Sequence, residues 1–469
     1  AEQRQDKKPQ VSDLRESGCL TGDTRILRAD TGAETTMREL FDSGEKDVPV
    51  WALADDLRYV KRPMTHVFST GTKPVYKLRL ASGREVRATA NHKFFTYDGW
   101  TALGDLTAGE RLGIPRHVCA PEQETQWDDH EVVMLAHLIG DGSFVRRQPI
   151  RYASIDENNL RVVTSAAAHF GITPVRDEHA ASRCTSLRLP APYRLTHGRR
   201  NPIAGWLDGM GLFGARSHEK FVPQAVFSLP KRQIKLFLHH LWATDGSVTV
   251  NKNQRGGRIY YSSTSRRLAD DVSRLLMRFG IVGRIKSTQK SAYRPSHTVD
   301  ISGTEDQLMF LEQIGVHGDR SRNVEHLLEI LRDIKHNTNV DTMPINVWDD
   351  VRRIIEQKGI THRSFQEALG TRYCGSALYK TAPSRTRMAR VIEALDTHEL
   401  DMIAMNDLYW DRILSITHDG EEEVFDATVV GSHNFIANGV TVHNSIEQDA
   451  DMVILLHRED VYDKESPRA

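Results

Sequence analysis

The sequence predicts a multidomain protein: an all-β domain split between the two ends of the chain, interrupted by a mixed α/β domain and a helical, basic region. Three observations carry that reading. Short alternating segments separated by turn residues run from Cys19 to about Arg116 and return after Arg412. An apolar run ending in Asp-Gly-Ser occurs twice in the interior, and a basic helix-like window follows the second copy. At 469 residues, 39% hydrophobic and 27% charged, the chain has the length for two to four domains and the balance of a soluble globular protein. A formal net charge of −1 excludes a uniformly basic protein but leaves local patches open.

Taken in order, Val75–Leu80, the turn Ala81-Ser82-Gly83 and Arg84–Thr89 predict a hairpin. Arg412–Ile416, Glu423–Val429 and Asn434–Val440 predict further strands near the other end, and the two β-rich ends are expected to form one domain. Between about 128 and 335, Leu135–Ser143 is echoed by Leu238–Ser247, each an apolar helix-like run ending in Asp-Gly-Ser. The echo continues in Phe170-Gly171-Ile172 and Phe279-Gly280-Ile281, so two half-domains related by a pseudo-twofold would bring Asp141 and Asp245 to adjacent helix ends. From 351 to 390, Arg352, Arg353, Lys358, Arg363, Arg372, Lys380, Arg385, Arg387 and Arg390 face only Glu356 and Glu367. Thr361 is placed to cap a helix that Gly370 ends, with Ser376–Tyr379 beginning the next, as in a helix-turn-helix; a solvated linker bundle fits the same pattern.

Two nucleophiles bracket the insert. Cys19 follows Gly18, and the run Val442-His443-Asn444-Ser445 stands near the other end. A thiol can attack the carbonyl before it in an N-to-S acyl shift. That shift is uphill, so a group must strain the bond or protonate its nitrogen. Thr89 and His92, at i and i+3 after a strand, offer a hydroxyl and an imidazole for that purpose. Ser445 can take over the acyl group, and the Asn444 side chain can close a succinimide on its own carbonyl. His443 and His433 are placed to polarise that carbonyl and to help deprotonate the amide. Asp426 is placed to orient Ser445 or to stabilise departing Cys19; a turn or edge carboxylate is its other reading.

Cys19-Leu20-Thr21-Gly22-Asp23-Thr24, Thr89-x-x-His92, Val424–Val429 with His433-Asn434-Phe435, and Val442-His443-Asn444-Ser445 resemble the four splicing blocks of inteins, in family order. The resemblance implies the horseshoe-like, all-β Hedgehog/intein (HINT) fold, gives Cys19 the first-nucleophile role and Asn444 the cyclising role, and calls for no cofactor. The repeated Asp-Gly-Ser runs resemble the paired motifs of LAGLIDADG homing endonucleases. That resemblance implies double-stranded DNA as partner and Mg²⁺ held by Asp141 and Asp245, hard oxygen ligands suited to that ion. Lys220-Phe221-Val222-Pro223 resembles the lysine-bearing block between the motifs, which makes Lys220 a candidate for charge stabilisation. The first motif has Ala136 and Gly140 five and one positions before its aspartate, whereas the second has His240 and Thr244. An imidazole at a close helix contact is expected to push the helices apart or force another packing, which bears directly on nuclease activity.

The expected domains are a flank, 1–18; the N-terminal part of the splicing domain, 19–118; the endonuclease-like domain, 128–335; the helical region, 340–405; the C-terminal part of the splicing domain, 406–444; and a second flank, 445–469. The joined flanks resemble the ATPase core of replicative DNA helicases of the DnaB type, but are too short for helicase activity. That host would be hexameric after splicing, the precursor fragment a monomer with its exteins in cis. Two other readings are a site-specific DNA-binding or DNA-cleaving protein on a splicing-inactive scaffold, and an autoprocessing domain that cleaves without ligation. Ser445 argues against the last, because cleavage alone needs no downstream nucleophile. Cys19, Cys119, Cys184 and Cys374 form no CxxC pair, so neither a disulfide framework nor a zinc knuckle is expected. The polar start AEQRQDKKPQ and the lack of a long apolar run predict a cytoplasmic protein with no membrane partner.

Overall fold

The computed structural model describes residues 18–177, 184–196, 198–289, 293–333, 341–397 and 399–444. Two six-stranded antiparallel sheets are each built from both ends of the chain. One runs in the order Val48–Leu53, Tyr59–Leu80, Glu85–Ala88, Leu20–Thr21, Leu408–Val429, Arg111–Pro115. The other runs Glu34–Thr36, Arg25–Leu27, Asn434–Ala437, Val440–His443, Lys93–Thr96, Gly99–Ala102. Residues alternate between core and surface along these strands: in Glu85–Ala88, Val86 and Ala88 are buried while Glu85 and Arg87 stay half-exposed.

The predicted hairpin forms, with Arg79 opposite Glu85 and Tyr76 opposite Ala88. Its first strand is far longer than the sequence suggests. Tyr59–Leu80 and Leu408–Val429, 22 residues each, pair antiparallel from Ile413 and Leu80 to Val429 and Met64, with several register shifts. The second of these absorbs Arg412–Ile416 and Glu423–Val429, expected as separate strands, into one. Asn434–Val440 is instead split in two by Asn438-Gly439, both at positive φ (49° and 72°), a two-residue turn joining Ala437 to its partner Val440.

The interior contains the repeat. Helix Asp129–Asp141, strands Gly142–Ser143 and Arg151–Ser154, helix Glu157–His169 and strands Val175–Asp177 and Thr185–Arg188 make the first half. Helix Lys231–Asp245, strands Gly246–Val250 and Gly257–Ser263, helix Arg266–Leu276 and strands Gly283–Thr288 and Ser296–Ile301 make the second, with the same strand order. The Phe-Gly-Ile echo is a shared helix ending. Gly171 and Gly280 take positive φ, and the amides of Ile172 and Ile281 reach back to the carbonyls of Ala167 and Leu276.

Residues 341–404 contribute helices Val347–Gln357, His362–Ala368, Arg385–Leu395 and Asp401–Ala404. Thr361 caps the second of these through the Ser364 amide, Gly370 follows it at φ 65°, and a 3₁₀ turn at Gly375–Lys380 stands where a new helix was expected. Trp348, Val351, Phe365 and Met388 share a core with Leu27, Trp51, Tyr59 and Trp410 of the β sheets. A purely solvated bundle is thereby corrected: one face of this region is packed away. Part of its positive charge is structural too, since Lys358 donates to the carbonyls of Leu395 and Asp396, and Arg385 to those of Ala404 and Leu408.

Candidate functional site

The two sheets bring the chain's distant ends together. Leu20 lies opposite both Phe425 and Ala88, so Cys19 sits where the strand from the far end meets the predicted hairpin. Its side chain is fully buried beside Val75 and Val424. The Cys19 amide donates to Thr89 Oγ1 at 2.9 Å, and the Thr89 amide returns to the Cys19 carbonyl at 3.0 Å. The Thr89 hydroxyl donates in turn to Asn91 Oδ1 at 2.7 Å. The sulfur lies 3.0 Å from Thr70 Oγ1 and receives Lys73 Nζ at 3.5 Å. Neither Thr70 nor Lys73 was visible in the sequence, because nothing local links that segment to residue 19.

His92 is buried behind Gly18, whose α-carbon is so close that an added Cβ would lie 2.5 Å from His92 Cα. Burial lowers the His92 imidazole to about 4, the Gly18 backbone opposing and His443 adding to the effect. At the other junction Val442 pairs with Phe94, two residues beyond His92, which couples the two sites through one sheet. The Asn444 amide donates to the His433 carbonyl at 2.9 Å; the residue is 1% exposed, and neither Oδ1 nor Nδ2 has a hydrogen-bond partner among the described residues. His443 packs edge-on to Trp100 with ring centres 4.7 Å apart and 6.5 Å from His433, and burial lowers it to about 4 as well. His433 takes φ 51°, which turns the chain between Val429 and Asn434. Asp426 is buried one residue beyond the partner of Leu20 and accepts from the Ala427 amide. Ser445 lies outside the described residues. Cys19, Thr89, His92, His433, His443 and Asn444 are thus gathered by the same pair of sheets, with Asp426 on the long strand beside them.

The second centre lies where the motif helices end. The helices touch so closely that a Cβ on Gly140 would fall 2.0 Å from Thr244 Oγ1. Of the two expected effects of His240, separation of the helices or a different packing, the first is overturned: His240 Nδ1 lies 3.0 Å from His137 Nε2, and His137 Nδ1 lies 2.9 Å from the Tyr152 hydroxyl. Burial lowers His137 to about 3 and His240 to about 2, so both are neutral and one donates while the other accepts. Asp141 and Asp245 line a cavity of about 470 Å³ with Lys220, Ser217 and Ser262. Burial, then the neighbouring Asp245, raises Asp141 to about 6; burial also raises Asp245, opposed by Lys220 and Arg320.

Lys220 donates to the carbonyls of Leu138, Gly140 and Gly142 at 3.1, 3.0 and 2.8 Å. Arg320 NH1 donates to those of Trp242, Thr244 and Gly246 at 3.0, 2.6 and 2.6 Å. These carbonyls hold the same offsets from the two aspartates, so Arg320 is the pseudosymmetric counterpart of Lys220. Sequence reasoning missed it, since the repeat is too diverged around position 320 to be seen. Elsewhere the ligating atoms of exposed Asp128, His130 and His169 lie within 4.8 Å of one another, with Asp128 also capping the first motif helix.

A β domain that buries a thiol at one junction and an unengaged asparagine amide at the other is organised to process its own chain. The chain belongs to the intein splicing domain family, which matches residues 26–444, and its function is autocatalytic protein splicing. It is 42% identical over 475 aligned positions to the replicative DNA helicase DnaB of Synechocystis sp., covering 99% of this chain and 54% of the relative. The chain spans about half the length of the curated relatives it matches first. A crystal structure of a DnaB intein from Synechocystis sp. PCC 6803 aligns over 92% of this chain and 100% of its own, at 15% identity and a TM-score of 0.29. Mesophilic variants of the homing endonuclease I-DmoI align over 42% of this chain and 97% of their own, at 14% identity and a TM-score of 0.31. No helix among the described residues is long and apolar enough to cross a membrane.

Proposed function

We propose that splicing here proceeds through Cys19, Ser445 and Asn444, assisted by Thr89, His92, Asp426, His433 and His443. Cys19 Sγ attacks the Gly18 carbonyl carbon, the C–N bond breaks, and the thiol proton goes to the departing nitrogen. Thr89 Oγ1 already holds that nitrogen's N–H, and neutral His92 lies against the same peptide, so both act on the bond as it breaks. The Ser445 hydroxyl then displaces the thiol, with Asp426 orienting the exchange. Asn444 Nδ2 next attacks the Asn444 carbonyl, releasing the flanks joined by an ester, which rearranges to an amide. His433 and His443 assist that last cleavage. The observation that carries this reading is the burial of Cys19 and of the unengaged Asn444 amide within one pair of sheets. Incubation of the purified chain followed by mass measurement tests it. Residues 1–18 joined to 445–469 are expected; two separate flanks would instead mean cleavage without ligation.

The interrupted host is read as a DnaB-type replicative helicase, with the flanks as exteins in cis. The interior domain is read as a DNA endonuclease of the LAGLIDADG type acting on double-stranded DNA. What supports this is the pair of aspartates at touching helix ends, both with raised affinity for protons in a buried setting that a divalent cation relieves. Asp141 and Asp245 would hold Mg²⁺, which supplies Lewis-acid activation at a phosphodiester. Lys220 would stabilise charge there, and Arg320 the mirrored position. Cutting of a plasmid carrying the uninterrupted helicase junction, present with Mg²⁺ and lost in Asp141→Asn, tests the reading. Five exposed or half-buried cations of the helical region, Arg363, Arg372, Lys380, Arg387 and Arg390, stay available for DNA contact.

A further inference from the structure

A cavity of about 440 Å³ opens between the β domain and the second half of the α/β domain. Arg25, Lys77, Arg84 and Arg87 line it from one side, Arg266 and Arg274 from the other, against four carboxylates. Most of these charges are matched. Arg87 and Lys77 pair with Asp419, Arg87 with Glu422 also, and Arg266 with Asp270.

Among the described residues, Arg84 makes no hydrogen bond through its side chain. It follows directly on the hairpin turn and is 2% exposed, and its Nε, NH1 and NH2 are all buried with no hydrogen-bond partner among the described residues. Arg274, 6% exposed, gives its Nε to Glu34 at 2.8 Å, and its NH1 has no hydrogen-bond partner among the described residues. The two guanidiniums meet over the Asn438-Gly439 turn: a Cβ on Gly439 would stand 3.0 Å from Arg84 Nε and 3.3 Å from Arg274 Cζ. The missing side chain of Gly439, at φ 72°, leaves room for that approach. Burial and the charge of Arg274 bring Arg84 down to about 10, opposed by the carboxylates of Asp411 and Asp270, so it remains charged at neutral pH. A buried cation beside a second cation, with carboxylates near it but none on its donors, is a costly arrangement that a directly bound counter-ion relieves.

We infer that this cavity binds a small tetrahedral oxoanion of the phosphate type between Arg84 and Arg274. Guanidinium forks approaching from two elements suit an acceptor with oxygens in several directions better than a planar carboxylate. The orphan nitrogens have no exposure to water, so the anion enters from the cavity by parting the two guanidiniums, a separation their like charges favour. Bound there, it ties the turn that leads into Val440–His443 and Asn444 to helix Arg266–Leu276 of the interior domain. Free phosphate and a DNA backbone phosphate share this chemistry; the burial of the Arg84 and Arg274 nitrogens favours the small free anion.

The test uses the full chain held unprocessed by Cys19→Ala and Asn444→Ala. Inorganic phosphate is titrated at constant ionic strength against chloride, with ³¹P line width and thermal midpoint as readouts. Saturable broadening and a rise in Tm on the order of a few degrees are expected. Arg84→Met should weaken binding by about 10- to 100-fold and, without phosphate, be at least as stable as the parent. Where Arg84→Met does not fold, Arg25→Gln on the cavity wall should weaken binding several-fold. No saturable binding by the parent, or unchanged affinity in the folded variants, overturns the site. Displacement of phosphate by a short DNA duplex overturns the free-anion assignment in favour of the backbone.

Discussion

Around Cys19 the decisive feature is which groups a distant strand brings to the sulfur. Thr70 lies within hydrogen-bond distance and Lys73 supplies the nearby cation, both from the register shift around Gly71 in the long strand Tyr59–Leu80. A cation there attracts the negative charge that develops on sulfur during attack. Lys73→Met is therefore expected to slow thiol-induced cleavage after Gly18 by roughly threefold to tenfold, the effect of one partly screened charge. An unchanged rate, followed by mass with added dithiothreitol, would make the lysine a bystander. His92→Ala should cost more, about 100- to 1,000-fold on the same step, as for a group acting on the scissile bond itself. Thr89 and His92 were legible in the sequence because a three-residue spacing fixes both on one short segment. Thr70 and Lys73 were not, since only strand pairing carries them to Cys19.

Between the motif helices, substitution of small residues has been absorbed by hydrogen bonding. His137 and His240 stay neutral in the interface, far below the usual imidazole range. The sign follows: below about 6.5 the unfolded chain takes up protons that the folded one refuses until about 3 and 2. Stability conferred by these histidines is thus full above pH 6.5 and declines as pH falls toward 3, by at most about 1.4 kcal/mol per pH unit for each imidazole. His240→Ala should flatten the pH dependence of chemical denaturation between pH 7 and 5; an unaltered slope would show that the pair does not titrate on unfolding. Arg320→Met, which strips three carbonyls of their donor, should destabilise this domain by about 1–3 kcal/mol. Helix ends and the Asp-Gly-Ser repeat were readable from local pattern. His240 was misread because steric bulk was weighed without the hydrogen bond to His137 that accommodates it.

At the scale of the whole chain, the β sheets and the inserted elements are not insulated from one another. Val282 of the α/β domain packs into the β core, and Trp348 and Phe365 pack with Trp51 and Trp410. Excision of residues 119–405 is expected to bare that apolar face, lowering Tm and solubility relative to the full chain; an equally stable excised form would show that the shared core is dispensable. The split β domain itself was legible, since both ends alternate while the middle does not. The extent of the long strands and the shared core were not, because each depends on contacts between segments hundreds of residues apart. The pairing of Leu20 with Phe425 also sets a clock on synthesis. A ribosome must add about 400 further residues, roughly 20–80 s of elongation, before the strand that completes the Cys19 pocket exists. The upstream bond is therefore out of danger until the downstream half is ready to receive it, and premature scission of a nascent chain is avoided by connectivity alone.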